Sequence, residues 1–285
     1  MFAITGVTGK VGGKLAKALL SAGQPVRAVL RDENKAPDWT SRGCEIAVAE
    51  MDDAAALGRA FAGAEAVFVL LPSNFDPAPG FPEVRRYLSA LTAALVEAAP
   101  THVVFLSTIG AQATQENLLT QLHLAEEALS ALPIPVTFLR AAWFMENAAF
   151  DVDSARQLGV IPSFLQPSDK PVPMVATADI AQLAARLMRD APDAHRVVEL
   201  EGPRRVSPDD LAAAFARLLQ KDVVANPVPR AAWEAMFRAQ GMRHPQPRCR
   251  MLDGFNQGWI AFEHTPQHGD TPLETVLREL LGLAA

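Results

Sequence analysis

The feature of this sequence that most limits its fold is the alternation of short apolar runs with helical patterns over the first 140 residues. Each run is short and apolar on both of its faces, as in parallel strands that are covered on two sides. The runs are Phe2–Thr5, Val26–Leu30, Glu45–Ala49, Ala66–Leu71, Val103–Ser107 and Val136–Leu139. Between them, apolar residues such as Val11, Leu15 and Leu19 recur at helical spacing. This alternation predicts right-handed βαβ units in an α/β fold, a doubly wound parallel sheet of the Rossmann type.

The pattern loosens after about residue 150. Four prolines punctuate Val160–Met174, which we interpret as a loop with a short strand near its end. Thr177–Asp190 is typical of a helix with Thr177 as its N-cap, and Arg196–Leu200 is a candidate strand that returns to the main sheet. Ser207-Pro208-Asp209-Asp210 has the cap, proline and acids of a helix start. Residues 228–285 resemble further helices.

These patterns predict two unequal parts. A chain of 285 residues is long enough to bury a core without disulfides or structural metals. We expect a Rossmann domain over residues 1–150, to which 170–200 return. We expect residues 151–169 and 201–285 to form a smaller, mainly helical lobe on the substrate side.

Charge and cysteine content exclude several classes of function. The 26 Lys and Arg against 32 Asp and Glu give a net charge of −6, which disfavours binding to nucleic acid. Cys44 and Cys249 are too few for a disulfide framework or a zinc site, so we expect no metal. The N-terminus does not resemble a signal peptide, and the apolar runs are too short to span a bilayer. We therefore expect a cytoplasmic protein with no membrane partner.

A glycine-rich segment carries most of the chemical information. Thr5-Gly6-Val7-Thr8-Gly9-Lys10-Val11-Gly12 follows the first predicted strand and opens the first predicted helix, as a dinucleotide-binding loop does. Its glycines allow a tight turn, approach of the backbone to a pyrophosphate, and close packing of helix on strand. Amides at the start of the helix then face the phosphates. The expected cofactor-binding residues are Gly6, Thr8, Gly9, Lys10, Val11 and Gly12; the alternative is a glycine-rich turn without a ligand.

Charge at the end of the second strand bears on the choice of nicotinamide cofactor. Arg31 lies 19 positions past Gly12. At this position an acid contacts the ribose of NAD, whereas a cation suits the 2′-phosphate of NADP. A guanidinium holds phosphate through its planar fork, and Lys35 follows on the next turn. We therefore expect NADP(H) to be preferred over NAD(H). The alternative is a solvated Arg31 with Asp32 as the ribose ligand.

Other cofactor-side positions follow from topology, because ligands bind outside the carboxyl ends of the strands. Glu50, or Asp52 beside it, is expected to accept a hydrogen bond from the adenine amino group. Asp53 has a plainer alternative as a helix cap, and Ser107 as the end of a strand. The further candidates at these strand ends are Glu50, Met51, Leu71, Pro72 and Ser107.

Several segments together resemble the NmrA-like branch of the atypical short-chain dehydrogenase/reductases, over nearly the whole chain. The resemblance implies an NAD(P)(H)-binding protein. Members of this branch are either enzymes, NADPH-dependent quinone reductases among them, or redox-sensing regulators that bind cofactor without turnover. The matching segments are the glycine-rich loop, Val26–Arg31, Leu139-Arg140-Ala141-Ala142-Trp143-Phe144-Met145-Glu146-Asn147, Thr177-Ala178-Asp179-Ile180-Ala181 and Glu201-Gly202-Pro203.

The chain departs from the wider superfamily in its catalytic residues. Short-chain dehydrogenases normally use a Tyr-x-x-x-Lys pair, but the only tyrosine, Tyr87, precedes the fifth predicted strand and is followed four residues later by Leu91. Relatives with quinone activity often carry His four residues before Glu in the next helix, so the resemblance points to His123 as a catalytic residue. His123 lies three residues before Glu126 and four before Glu127, which leaves the register open. The alternative is a surface histidine paired with Glu127.

The substrate cleft is expected between the carboxyl edge of the sheet and the second lobe. Aromatic rings stack well on flat acceptors, which makes Phe75, Trp143 and Phe144 candidate walls of the cleft. Asn147, which follows on the same segment, is a further candidate. The segment Met251–Ile260 either closes over this cleft or packs beneath a cap.

Three functions fit these residues. The first is an NAD(P)H-dependent oxidoreductase without the tyrosine–lysine pair, which reduces a quinone-like or other small electrophilic acceptor by hydride transfer. The second is a non-catalytic NADP(H) sensor that acts through a protein partner. The third is an isomerase or dehydratase that keeps its cofactor bound. Substrate, oligomeric state and regulatory partner are not fixed by the sequence.

Overall fold

A computed structural model describes residues 1–283, and an eight-stranded sheet lies at its centre. The strand pairs of this sheet run parallel. The strands, in chain order, are β1 (Phe2–Ile4), β2 (Val26–Leu30), β3 (Glu45–Val48), β4 (Ala66–Val69), β5 (His102–Thr108), β6 (Val136–Ala141), β7 (Trp143–Phe144), β8 (Val160–Ser163), β9 (Met174–Val175), β10 (Arg196–Glu201), β11 (Val224–Pro227) and β12 (Gln267–His268).

The helices alternate with these strands in the first half of the chain and dominate its end. None of those in the described residues is both long and apolar enough to cross a membrane. The helices are α1 (Lys10–Ser21), α2 (Ala36–Thr40), α3 (Ala54–Phe61), α4 (Pro82–Ala98), α5 (Thr120–Ser130), α6 (Val152–Leu158), α7 (Thr177–Leu187), α8 (Pro208–Leu219), α9 (Trp233–Ala239), α10 (Gln246–Gln257) and α11 (Leu273–Leu281).

The strand order of the sheet is β3-β2-β1-β4-β5-β6-β10-β12. The order reverses between β1 and β4, and in an open α/β sheet this reversal opens a crevice at the carboxyl ends of the strands. Helices cover both faces, which explains why the central strands are apolar on both sides. The predicted Rossmann fold is therefore confirmed.

Three apolar clusters form the core. One covers a face of the sheet beneath α1 and α7, with Leu15 and Ile180 among its members. Another covers the opposite face beneath α3, α4 and α5, and includes Leu91. The third lies among the C-terminal helices and is built around large side chains such as Phe215 and Trp233. The boundary between a Rossmann domain and a lobe, as predicted from the sequence, stays a prediction.

Apart from strand ends that shift by one or two residues, the structure differs from the sequence-based prediction in three places. The stretch predicted as a loop begins with β8, which pairs with β11 in a small separate sheet. Within the terminal stretch predicted as helices, β12 adds a strand beside β10, although both of its side chains are exposed and show no apolar pattern. Thr177 is the first residue of α7 rather than its N-cap, because the Glu146 carboxylate accepts its amide from across the fold.

Candidate active site

The loop between β1 and α1 requires glycine at two positions. Gly6 has a φ of +64°, in the left-handed region, and a Cβ there would lie 2.7 Å from Cδ2 of Leu70. A Cβ on Gly12 would lie 2.7 Å from the carbonyl carbon of Gly6. The two glycines therefore allow the first turn of α1 to lie directly against the end of β1.

The start of α1 presents backbone amides without a capping side chain. Gly9 occupies the N-cap position, and the first turn contains no acidic residue. The amide of Gly9 donates to the carbonyl of Gly6 at 2.9 Å. Unpaired amides and the helix dipole together favour an anion at this end. Thr8 is exposed beside them, whereas the Val11 side chain is buried, so that Val11 can meet a ligand only through its backbone.

Glu146 joins this helix to the segment after β7, and sequence reasoning gave it no role. It is only 5% exposed, and its carboxylate accepts the amide of Thr177 at 2.9 and 3.0 Å. Lys14 lies 3.5 Å from the same carboxylate, while the Lys10 ammonium donates to the Glu146 carbonyl at 3.4 Å. The available signal was an acid within the otherwise apolar Phe144-Met145-Glu146 stretch.

At the end of β2, the Asp32 side chain is hydrogen-bonded within the protein, whereas the Arg31 side chain is not. The Asp32 carboxylate accepts the backbone amide of Asn34 at 3.0 Å and its side-chain amide at 2.9 Å. Arg31 and Lys35 are exposed, and neither side chain has a hydrogen-bond or ion-pair partner within residues 1–283. Two cations are thus available at this corner, and the neighbouring carboxylate is occupied with capping a short turn.

The end of β3 carries three exposed acids, of which only Glu50 has no side-chain hydrogen bond or ion pair within residues 1–283. Glu50 is exposed, whereas Met51 is buried in the core cluster beneath α3. Asp52 lies 3.6 Å from Arg86. Asp53 accepts the amide of Ala56 at 2.9 Å, which confirms its alternative role as the cap of α3.

The end of β4 lies next to the glycine-rich loop. The hydroxyl of Thr5 accepts a hydrogen bond from the Leu70 amide at 2.8 Å. The Leu70 side chain lies directly against Gly6. Leu71 is buried and Pro72 half-buried at the start of the following loop. Phe75, further along this loop, is 55% exposed.

Ser107, at the end of β5, belongs to a buried polar network. Its hydroxyl donates to Glu126 of α5, whose carboxylate also accepts two bonds from Arg140 of β6, at 3.0 and 2.7 Å. Arg140 further donates to Glu263 at 2.8 Å and lies 3.6 Å from Glu199. Burial alone would lower the pKa of Arg140, but these carboxylates more than offset it and raise that pKa. The Ser107 proton is therefore committed to Glu126.

The structure resolves the register of His123. Glu126 turns inward to Arg140, while His123 faces Glu127, with its Nε2 3.5 Å from Oε1. The Nδ1 of His123 lies 2.9 Å from the carbonyl oxygen of Ala111, in the loop that follows β5. The histidine is therefore held between a backbone carbonyl and an exposed carboxylate.

Tyr87 is remote from such a role. Its hydroxyl donates to Glu83 at 2.8 Å on the same helix. Burial, followed by the contact with Glu83, raises its pKa, which disfavours the tyrosinate. Leu91 is fully buried four residues on, so this helix supplies no tyrosine–lysine pair.

The candidate wall residues lie on two separate segments. Trp143 is half-buried against Phe255, with ring centroids 5.3 Å apart, and Phe144 packs partly against the core beneath α1 and α7. Asn147 is half-buried in the short 3-10 helix that follows. Among the side-chain hydrogen bonds and ion pairs of residues 1–283, that of Lys10 joins the glycine-rich loop to this segment, and none joins the loop to Phe75 or His123.

Two further segments have structural roles. Asp179 accepts the amide and hydroxyl of Thr271 at 3.1 and 2.7 Å. Much of Met251–Ile260 is buried in the C-terminal cluster, where Ile260 packs on Gly254. Among the described residues, no group of His, Cys, Asp or Glu side chains is arranged to hold a metal ion.

Comparison with known proteins identifies a family model and several relatives that match most of the chain. The sequence model of the NmrA-like family matches residues 1–246. Quinone oxidoreductase 2 of Escherichia coli (strain K12) is 27% identical over 244 residues, which cover 85% of this chain and 82% of that protein. A (4-alkanoyl-5-oxo-2,5-dihydrofuran-3-yl)methyl phosphate reductase of Streptomyces griseus is 30% identical over 223 residues, 77% of this chain and 74% of that protein.

Solved structures share the fold over the whole chain. The NADPH-dependent quinone oxidoreductase of E. coli, in complex with NADPH, superimposes with a TM-score of 0.77 at 23% identity, covering 99% of this chain and 95% of that one. The triphenylmethane reductase of Citrobacter sp. has a TM-score of 0.78 at 22% identity and covers 99% of both chains. At this level of identity the likeness shows the fold alone.

Proposed function

The chain belongs to the NmrA-like family, and from this premise we propose that it is an NAD(P)H-dependent oxidoreductase. Its acceptor is a quinone-like or other small electrophilic molecule, reduced by hydride transfer. The observation that carries this proposal is the uncapped start of α1, held by Gly6 and Gly12 against the end of β1. The reductase names of its relatives support the same reaction class.

The residues present fit a dinucleotide. The amides of Lys10, Val11 and Gly12 would hold the diphosphate, with Gly9 as the N-cap beside it, since a Cβ on Gly12 would fill the space that keeps the helix close to the strand. Leu71 and Pro72 would line the ribose and nicotinamide, and Glu50 would receive the adenine amino group. Thr8 and Lys10 would flank the diphosphate. A bound reduced nicotinamide supplies the hydride.

Arg31 and Lys35 favour NADP(H). Both cations are exposed without partners within residues 1–283, and Asp32 is already the cap of a turn. A carboxylate that accepts two hydrogen bonds from Asn34 is poorly placed to bind a ribose hydroxyl as well. A guanidinium at this corner gains a charge-assisted bond only when a 2′-phosphate is present.

The acceptor would lie between the sheet edge and the C-terminal elements, against Trp143, Phe144, Asn147 and Phe75. Reduction of a quinone requires the acceptor ring to be held at the hydride donor, and correct positioning supplies much of the rate. The chain has no tyrosine–lysine pair to deliver a proton, and the Ser107 hydroxyl already donates a hydrogen bond to Glu126. We therefore infer that the reduced acceptor takes its proton from water or from His123, whose ring is partly exposed.

Consumption of NADPH tests this proposal. Purified protein is mixed with NADPH and a panel of benzoquinones and naphthoquinones, and absorbance is followed at 340 nm. Turnover that is faster than the uncatalysed reaction supports a reductase. Tight binding of NADPH without turnover of any acceptor would instead indicate a redox sensor, and a cofactor that co-purifies and is not consumed would indicate an isomerase or dehydratase.

A further inference from the structure

The loop between β4 and α4 is tied to the C-terminal part of the chain by one carboxylate. Asp76 accepts the backbone amide of Arg243 at 3.0 Å and that of His244 at 2.6 Å. The Arg243 guanidinium lies 3.7 Å from the same carboxylate. Burial works against the charge of Asp76, yet these two amides and the nearby cation lower its pKa below the usual range. The two hydrogen bonds join residues that lie 167 and 168 positions apart in the chain.

The residue on the other side of Phe75 is fixed as well. The Asn74 side chain accepts the Asp76 amide at 2.9 Å and donates to Glu83. The carbonyl of Asn74 accepts a bond from Gln121 of α5 at 3.0 Å. Asn74 and Asp76 thus anchor the backbone on both sides of Phe75, one to α4 and α5 and the other to the C-terminal elements.

The Phe75 side chain itself is not buried by these contacts. It remains 55% exposed, although the backbone around it is held by several polar contacts. A cavity of about 250 Å³ lies beneath the loop and is lined by Asn74, Asp76, Phe81, Gln121 and Arg243 among others, but not by Phe75. Apolar packing therefore does not hold the loop at this point, and the polar contacts replace it.

We propose that Asp76 is a positioning residue for the acceptor: by holding the amides of Arg243 and His244, it fixes the backbone that carries the Phe75 ring, so that this exposed ring is presented as a stacking platform for a flat, aromatic or quinonoid ring. A platform that is already ordered spares the ligand the entropy of ordering it. Loss of the Asp76 link frees the loop to shift toward the cavity. This inference deepens the proposed function and rests on it for the identity of the acceptor.

Binding of menadione to the NADP⁺-loaded protein tests the inference without any hydride transfer. Dissociation constants from calorimetry are compared for wild type, Asp76→Ala, Phe75→Ala and the double variant, with Asp193→Asn as a matched control at an exposed acid. Asp76→Ala is expected to weaken menadione about fivefold to tenfold, the order of one side chain newly ordered on binding. NADP⁺ affinity should be unchanged. In the Phe75→Ala background, removal of Asp76 should add nothing.

The outcomes separate the two proposals. Equal menadione affinity in wild type and Asp76→Ala would overturn the role of Asp76, as would an effect of Asp76→Ala that persists without Phe75. Failure of the wild type to bind menadione would overturn it too. Wild type that binds menadione but never oxidises NADPH would contradict the proposed function alone. Hydrogen exchange provides a second measurement. The amides of Arg243 and His244 should exchange faster in Asp76→Ala than in wild type, and by a larger factor than amides elsewhere in the fold, which distinguishes loss of this link from a general loss of stability.

Discussion

Arg140 on β6 and Glu126 on α5 form a buried, two-pronged ion pair, with Nε to Oε1 at 3.0 Å and Nη2 to Oε2 at 2.7 Å. The Arg140 and Glu126 side chains are 6% and 11% exposed. Glu126 lies on α5, the helix after β5, where the resemblance to the short-chain dehydrogenases would place a tyrosine and a lysine. In this protein the helix instead contributes Glu126 to a fixed ion pair with the neighbouring strand.

Removal of one partner from this pair should destabilise the fold strongly. Glu126→Gln leaves the Arg140 charge buried with only Glu263 and Glu199 to compensate, and we expect a loss of about 3 kcal/mol in the free energy of unfolding. Urea denaturation measures this. Glu127→Gln, one position along and exposed, is the matched control and should change stability by less than about 0.5 kcal/mol. Equal effects of the two substitutions would contradict the structural role assigned to Glu126.

Arg31→Ala should remove the preference for the phosphorylated cofactor. The affinity for NADPH is expected to fall about 10-fold to 100-fold, because a charge-assisted bond to the 2′-phosphate is lost, while the affinity for NADH stays the same. Calorimetric titration with both cofactors gives the ratio. Arg186→Ala, on the exposed side of α7, controls for the change in net charge. A wild type that binds NADH as tightly as NADPH would show that Arg31 does not select the cofactor.

Asp151 should make the fold less stable as pH rises. Burial raises its pKa to about 7 from an ordinary value of 3.8, and its side chain does not cap the helix that it precedes. Between about pH 4 and pH 7 the folded protein keeps a proton that the unfolded chain has lost, so the free energy of unfolding falls across this interval and levels off above it.

The variant Asp151→Asn should remove this dependence. It should match wild type near pH 4 and exceed it at pH 8 by about 1–2 kcal/mol, a value reduced for partial exposure to solvent. Thermal or urea unfolding over this range measures the difference. Asp153→Asn, exposed on the same helix, should leave the pH profile unchanged. Parallel profiles for wild type and Asp151→Asn would show that Asp151 ionises normally.

Replacement of His123 should have a small effect on turnover. Its ring is held between the Ala111 carbonyl and Glu127, so we expect His123→Asn to reduce kcat/KM by less than about tenfold, below the contribution of a general acid. Steady-state rates with NADPH and a quinone test this. A loss beyond about 100-fold, combined with a changed pH profile, would instead establish His123 as the proton donor.

The sequence predicts those elements that are determined by residues close together in the chain. The β2 strand has the predicted bounds, and the capping box of Ser207 and Asp210 begins α8 as expected. The β5 strand extends one residue beyond its predicted ends on each side, to His102 and Thr108, because pairing with its neighbours continues past the apolar run. The spacing of Gly6 and Gly12 likewise predicts that the first turn of α1 lies close to the end of β1, because both glycines belong to the loop that joins them.

Contacts between distant residues could not be predicted in this way. The cap of α7 comes from Glu146, 31 positions before Thr177, and Glu263 reaches Arg140 over 123 positions. The choice between Glu126 and Glu127 as the partner of His123 depended on which one faces the interior, and that is set by Arg140 on another strand. No periodicity in the chain encodes such pairings.

Calorimetric titration of NADPH into wild type and Gly12→Ala tests the central claim most directly, namely that the start of α1 binds the cofactor diphosphate. The account predicts one NADPH bound per chain in wild type, and loss of binding in a Gly12→Ala protein whose circular dichroism shows an intact fold, because the added methyl collides with the Gly6 carbonyl. Lys17→Ala, exposed on the same helix, should bind as wild type does. No heat of binding in wild type, or undiminished binding in Gly12→Ala, would contradict the claim.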